Sequence, residues 1–126
     1  MAVTVHSRGS GGETYEITLE KTGPDSGRIA IRSWTAGRPV TSAPDSVEAY
    51  PLTHVRAQDG GRLLCKADVA ALPDFLDPVV MCRLEPNPGA SPLVRIQVGF
   101  KTFAYPLSPD DFKLLASFIQ AARFPR

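Results

Sequence analysis

The alternation of apolar and polar positions predicts a chain built mainly from short β-strands. In residues 14–20, Tyr15, Ile17 and Leu19 fall on one face, and charged or hydroxyl side chains fall on the other. Period-two alternation of this kind is typical of a half-buried strand. Similar patterns predict further strands at residues 2–6, 28–35, 52–57, 62–66, 79–84, 94–98 and 103–107.

A strong turn signal, Thr-Gly-Pro-Asp-Ser-Gly at residues 22–27, joins two of these strands in a hairpin. One register satisfies two independent signals, because it aligns the apolar faces and also sets opposite charges across the pair. It pairs Leu19 with Ile29, Ile17 with Ile31, Glu20 with Arg28 and Glu16 with Arg32.

The only long helical pattern follows the last strand and begins near Ser108. The Ser108 hydroxyl suits the N-cap, and Pro109 suits the first helical position because its missing N–H would have no partner there. Asp110 and Asp111 lie at the positive end of the helix dipole, and Asp111 is spaced to close a capping box. Arg123 lies near the C-terminal end, where a cation is favoured.

The apolar face of this helix is wide. Its apolar side chains cover roughly 200° of the circumference, well beyond the stripe of about 100° that one-sided packing requires. One interpretation is a helix that lies deep against a curved sheet. The other is a helix that also packs against a second copy of the chain through Leu114, Phe118 and Ala121.

These elements predict an α+β fold: an antiparallel, largely β-meander sheet of seven or eight short strands with one C-terminal amphipathic helix packed on it. The length of 126 residues predicts a single domain over residues 1–126. Residues 42–48 are expected to form a short helical turn that Pro51 stops, and residues 67–76 a short helix. A phase change at residues 99–102 requires either a tight hairpin or a kinked strand.

The charge balance argues against a dedicated duplex-DNA binder, because 14 basic and 13 acidic residues leave a formal charge of +1. Cys65 and Cys82 have no metal-type spacing and lie in apolar runs, so free buried thiols are favoured over a disulfide. The chain shows no signal-peptide pattern and no apolar run of about 18 residues. We therefore expect a cytoplasmic protein with no membrane partner.

Catalytic and metal-binding patterns are missing from the sequence. His6 and His54 are the only histidines, and no spacing links His54 to a cysteine nucleophile. The acidic pair Asp74 and Asp77 flanks a predicted turn rather than a recognisable site. Because no nucleotide or metal motif is present, we expect no catalytic residue, no metal and no cofactor.

Three functions remain open. The leading hypothesis is a non-enzymatic binding or adaptor domain that self-associates and engages a protein partner. The second is a single-stranded nucleic-acid-binding protein, since such sites interleave cations with aromatic rings. Its residues would be Arg28, Arg32, Trp34 and Arg38 on one hairpin and Arg95, Phe100, Lys101, Phe103 and Tyr105 on another. The third is a small-molecule-binding protein or small enzyme with a pocket between sheet and helix.

Overall fold

The computed structural model describes residues 1–67 and 79–126. These residues form eight β-strands followed by one α-helix. The strands are β1 (Ala2–Arg8), β2 (Thr14–Gly23), β3 (Ser26–Trp34), β4 (Ser46–Gln58), β5 (Arg62–Ala67), β6 (Val79–Glu85), β7 (Leu93–Val98) and β8 (Lys101–Pro106). The helix, α1, is Pro109–Ala122.

The strands form one antiparallel sheet in the order of the chain, from β1 to β8. This meander with a C-terminal helix confirms the predicted α+β class. The predicted β2–β3 register is also confirmed, because all four expected pairs lie opposite each other. Glu16 and Arg32 form an ion pair at 3.5 Å on the solvent side of the sheet. Apolar alternation and cross-strand charge were thus sufficient to set this register.

The sheet curls strongly, so that its first and last strands approach each other. The rings of Tyr15 on β2 and Tyr105 on β8 meet edge to face with their centroids 5.1 Å apart. The strand order shows no hydrogen-bonded pairing between β1 and β8, both of which lie within the described residues, so the sheet stays open. The curl creates an inner concave face and an outer convex face.

The core fills the concave face, and α1 completes it. Alternate residues of every strand point inward, including the fully buried Ile29, Leu63 and Ile96. The helix contributes Leu115, Phe118, Ile119 and Ala122 to this core. Its strongest contact is with β1, at the open edge of the sheet. The helix therefore covers the side on which the meander has no further strand.

The start of α1 follows the predicted cap with one difference. The Ser108 hydroxyl accepts a hydrogen bond from the backbone N–H of Asp111 at 3.1 Å, and Pro109 begins the helix. The Asp111 carboxylate accepts from the backbone N–H of His6 at 3.0 Å. The predicted capping box is therefore replaced by a link from the helix to β1. Arg123 is the C-cap, in the left-handed conformation (φ 51°).

The expected helical turn at residues 42–48 is wrong, because β4 begins at Ser46 and continues through Pro51. Pro51 lies opposite Arg28 on β3, and the described pairing of β4 with β5 begins only at Leu52. Proline has no N–H to donate to a ladder, so within sheets it is typical of edge strands, first positions and bulges. A register shift follows at His54, whose φ is 54°.

Two further predictions have different outcomes. The phase change near residue 100 is a tight hairpin between β7 and β8, with Gly99 at φ 59°. Of the predicted helix at residues 67–76, only Ala67 is described, and it is the last residue of β5. The rest of that prediction and the acidic pair Asp74 and Asp77 lie outside the described residues. Among the residues that the structure describes, no helix is long and apolar enough to cross a membrane.

Candidate functional site

A cavity of about 450 Å³ opens at one end of the curled sheet, on its concave side. It lies where the end of β1, the start of β2, the end of β3, the start of β4 and the strand β8 converge. Its lining comprises Ser7, Arg8, Gly9, Ser10, Glu13, Tyr15, Ile31, Ser33, Ser46, Glu48, Phe103, Ala104, Tyr105 and Pro106. We call this the end cavity. Its walls come from distant parts of the chain, so it exists only because the sheet curls.

Ser7 supplies the most informative group of the end cavity. This residue is 5% exposed, and its hydroxyl has no hydrogen-bond partner among the described residues. Buried polar atoms in native structures nearly always have a partner, because an unpaired one retains its full desolvation cost. A buried hydroxyl in the wall of a cavity is therefore a group that a bound molecule can satisfy.

Three aromatic rings form one wall of the end cavity. Tyr105 is the central ring and is 7% exposed. Tyr15 meets it edge to face, and Phe103 stacks on it with the ring centroids 6.3 Å apart and an angle of 26° between the ring planes. Phe103 is 38% exposed, so the outer end of this wall faces solvent. The rings together offer a continuous apolar and π-electron surface.

Two carboxylates line the same cavity. Glu13 folds back over the turn between β1 and β2, where a side chain in place of Gly9 would collide with its carboxylate. Glu48 lies on the inner face of β4, opposite Ile31. Neither Glu13 nor Glu48 makes an ion pair within the described part of the chain. The cavity thus carries two acidic groups without a cationic partner, and Arg8 is the one basic group among the described residues that line it.

The pKa values of three tyrosines in this region are raised, in part by the same two carboxylates. Burial, and then the nearby Glu48 carboxylate, raise the pKa of Tyr105 to about 12. Burial and the charge of Glu48 also raise the pKa of Tyr50. Burial and the Glu13 carboxylate raise the pKa of Tyr15. Each phenol therefore stays neutral at physiological pH and acts as a hydrogen-bond donor or acceptor.

A second cleft, of about 400 Å³, lies between the sheet and the helix. The third hypothesis from the sequence predicts a pocket at this location. Gly61, Leu84 and Ile119 form its apolar floor. Its charged side chains, Arg123 and Arg126, are exposed. No described polar side chain of this cleft is buried without a partner. The end cavity is therefore the stronger candidate site.

The structure does not bring the predicted nucleic-acid residues together. Arg28 and Arg32 lie on the outer face of β3. Arg95 lies on β7, with three strands between, and Lys101 lies on β8, with four strands between. Trp34 is 3% exposed and its indole N–H donates to the Ser42 carbonyl oxygen at 2.9 Å. A buried indole cannot stack with a base, so the β2–β3 hairpin lacks its expected aromatic platform. On the β7–β8 hairpin, by contrast, Phe100 is 86% exposed.

Most of the cationic side chains in that predicted set already form an ion pair with a carboxylate. Arg95 makes a bidentate pair with Glu85, at 2.8 and 3.0 Å. Arg38 pairs with Asp45. With Arg32 held by Glu16, only Arg28 and Lys101 of the predicted cations lack an ion pair among the described residues. Nucleic-acid binding stays a prediction, and these contacts give it no support.

The predicted self-association residues are divided between the core and the surface. Phe118 is 6% exposed and packs in the core, which excludes it from an interface in this fold. Leu114 is 50% exposed and Ala121 is also exposed. On the outward helix face these two are separated by Ser117, and polar residues flank them. Self-association stays a prediction that rests mainly on Leu114.

The thiols and histidines form no reactive group in the described structure. Cys65 and Cys82 are free and buried, and burial raises the pKa of each thiol to about 12. The Cys65 thiol donates to the Val80 carbonyl oxygen at 3.4 Å. His54 is exposed and its Nδ1 lies 3.2 Å from the Thr53 hydroxyl. In the described ranges, no cluster of three or more His, Cys, Asp or Glu residues could hold a metal ion.

Sequence reasoning missed the residues of the end cavity. Glu13, Glu48 and Ser7 carry no motif, and their positions in the chain are far apart. One signal was present: Glu48 follows the inward parity of β4, and Ser7 follows that of β1, so both are polar residues at core-facing positions. Comparison with known proteins adds no assignment, because no family model, curated protein or solved structure matches this chain.

Proposed function

We propose that this protein binds a small molecule in the end cavity. The observation that carries the proposal is the Ser7 hydroxyl, which is buried in the cavity wall without a hydrogen-bond partner among the described residues. Small-molecule sites are typically concave and mainly apolar, with a few polar groups that fix the orientation of the ligand. The end cavity combines both kinds of group, since three aromatic rings and Ile31 lie beside four serines, two carboxylates and one arginine.

The size of the end cavity supports the same function. Its volume of about 450 Å³ falls within the range of roughly 300–1,000 Å³ that ligand pockets occupy. The strands β1 to β4 and β8 supply most of its walls, and the β1–β2 turn supplies Gly9, Ser10 and Glu13. The packed core behind the strands holds them in place. A site on strands is largely pre-formed, so binding needs little ordering of the protein.

A fragment screen tests this proposal. A set of small neutral, cationic and anionic fragments would be screened by saturation-transfer NMR against the wild type and against Ser46→Phe. Ser46 is exposed at the rim of the cavity. A phenyl ring there should obstruct the cavity with little effect on folding, so a subset of fragments should bind the wild type and lose their signal in the variant.

Ser117→Phe provides the matched control, because Ser117 is exposed on α1 and does not line the cavity. The same fragments should bind this variant as they bind the wild type. Fragment binding that is equal in the wild type and Ser46→Phe would overturn the proposal, as would the absence of any binding fragment. Circular dichroism of each variant confirms that differences in binding do not arise from unfolding.

A further inference from the structure

The chemistry of the end cavity narrows the class of ligand that it accepts. The wall of Tyr15, Tyr105 and Phe103 presents both ring faces and ring edges within one short row. Ring faces carry negative electrostatic potential and attract organic cations, most strongly where water is partly excluded. Tyr105 is almost completely buried, so part of this wall lies in such an environment.

The acidic groups lie beside this wall. The Glu48 carboxylate is close enough to Tyr105 and Tyr50 to affect both phenols, and Glu13 affects Tyr15. Since no described cation pairs with Glu13 or Glu48, their charges are available to a bound group. Aromatic rings combined with carboxylates that lack a cationic partner are an arrangement that can recognise an ammonium group.

Arg8 is the one feature of the lining that opposes a cation. It is exposed, at the end of β1, and makes no ion pair within the described residues. With two carboxylates against one guanidinium, the described residues of the lining have a formal charge of −1. Arg8 is useful as a test, because its removal should have opposite effects on cationic and anionic ligands.

We propose that the end cavity binds a small organic cation, with an ammonium or quaternary ammonium group held against Tyr15, Tyr105 and Phe103 and near Glu48. The remainder of the ligand contacts Ile31 and reaches the Ser7 hydroxyl. This inference rests on the proposed function, since it names the ligand class of the same cavity.

Three probes of similar shape separate the effect of charge from that of size. Choline is the cation, 3,3-dimethyl-1-butanol is its neutral isostere, and 3,3-dimethylbutanoate is an anion of similar bulk. Each would be titrated into 15N-labelled protein, and the shifts of amides near the cavity would give the dissociation constant. We expect choline to bind about tenfold more tightly than the neutral isostere, and the anion to bind most weakly.

Two charge variants test the residues that carry the inference. Glu48→Gln should weaken choline binding about fivefold to tenfold and leave the neutral isostere within about twofold. Arg8→Gln should tighten choline binding, because it removes the like charge from the lining. Glu20→Gln is the matched control, since Glu20 pairs with Arg28 in the β2–β3 register and does not line the cavity.

The outcomes distinguish this inference from the proposed function. If the neutral isostere or the anion binds in the cavity as tightly as choline, the cation inference is overturned and small-molecule binding stands. Weaker choline binding in Arg8→Gln would likewise overturn it, in favour of an anionic or zwitterionic ligand. If choline causes no shifts while fragments still bind in a Ser46-dependent manner, the ligand class is wrong. If no fragment binds either, the proposed function fails.

Discussion

Tyr105 links the two ends of the sheet at the scale of a single residue. Its ring contacts Tyr15 and Phe103, and burial beside Glu48 holds its phenol in the neutral form. The same residue is therefore a part of the core and a wall of the end cavity. Any change that charges this phenol acts on both at once.

Stability should fall as the pH rises through the range in which Tyr105 ionises. Its pKa is about 12 in the folded protein, against an ordinary value of 10.0. Between these values the folded state keeps a proton that the unfolded state has lost, so stability is fully present below pH 10 and declines toward pH 12. Urea denaturation of the wild type and Tyr105→Phe between pH 9 and pH 11.5 measures the effect. We expect a shallower decline in the variant.

The comparison isolates Tyr105 because the other alkaline groups are common to both proteins. Cys65 and Cys82, for example, also have a pKa of about 12 in the folded state, so their contribution begins near pH 9 in each. Parallel declines in the wild type and the variant would show that this phenol is not held neutral by the fold.

Residue-scale predictions from the sequence were accurate where the partners were local. The Ser108 cap depends on a residue three positions away, and the Glu16–Arg32 pair depends on one hairpin. Trp34 was different, because its burial depends on the Ser42 carbonyl in a loop with no regular pattern. Asp111 also differed, since the amide that it accepts from lies 105 positions away in β1.

At the scale of elements, α1 is attached to β1 by contacts that its own sequence does not reveal. The Asp111 carboxylate satisfies a backbone N–H on β1, the first strand in the sheet order. An exposed strand edge is a site where another chain can pair, and covering it with a helix is one established protection. The helix therefore shields the edge as well as the core.

Two neighbouring acidic residues allow this attachment to be measured. Asp110 and Asp111 lie in the same first turn and both favour the helix dipole, but only Asp111 accepts the His6 N–H. Asp111→Ala should lower the free energy of unfolding by about 1 kcal/mol more than Asp110→Ala. The His6 amide should also exchange its hydrogen faster in Asp111→Ala.

Hydrogen exchange followed by NMR gives the residue-specific readout, and urea denaturation gives the free energy. Equal losses of stability in the two variants, with an unchanged exchange rate at His6, would contradict a role for Asp111 beyond the helix dipole.

At the scale of the whole molecule, the curl of the sheet produces both the core and the end cavity. Strand positions and the helix followed from local alternation and capping signals in the sequence. The curl did not, because the twist of eight strands accumulates over the entire sheet and no short segment encodes it. For this reason the convergence of Ser7, Tyr15, Glu48 and Tyr105 was beyond sequence reasoning. The predicted first strand also ended before Ser7, and Glu48 fell in the predicted helical turn rather than in β4.

Two adjacent leucines on α1 test which face of the helix packs against the core. Leu115 is 2% exposed in the shared core, whereas Leu114 is 50% exposed. Leu115→Ala should lower the free energy of unfolding by about 3 kcal/mol, since it removes buried methyl groups and leaves a cavity. Leu114→Ala should change it by less than about 0.5 kcal/mol. Urea denaturation of both variants gives the comparison, and a larger cost at Leu114 would mean that the opposite helix face is buried.

The contact between Asp111 and β1 has a consequence for how the chain is made. A ribosome produces β1 well before the helix that covers its edge, because Asp111 follows its partner His6 by 105 positions in the chain. During synthesis the growing meander holds an uncovered edge and an incomplete core, and such species are prone to associate with one another. Folding can finish only when residues 109–122 leave the exit tunnel, so translation that stalls before them should yield chains that depend on chaperones.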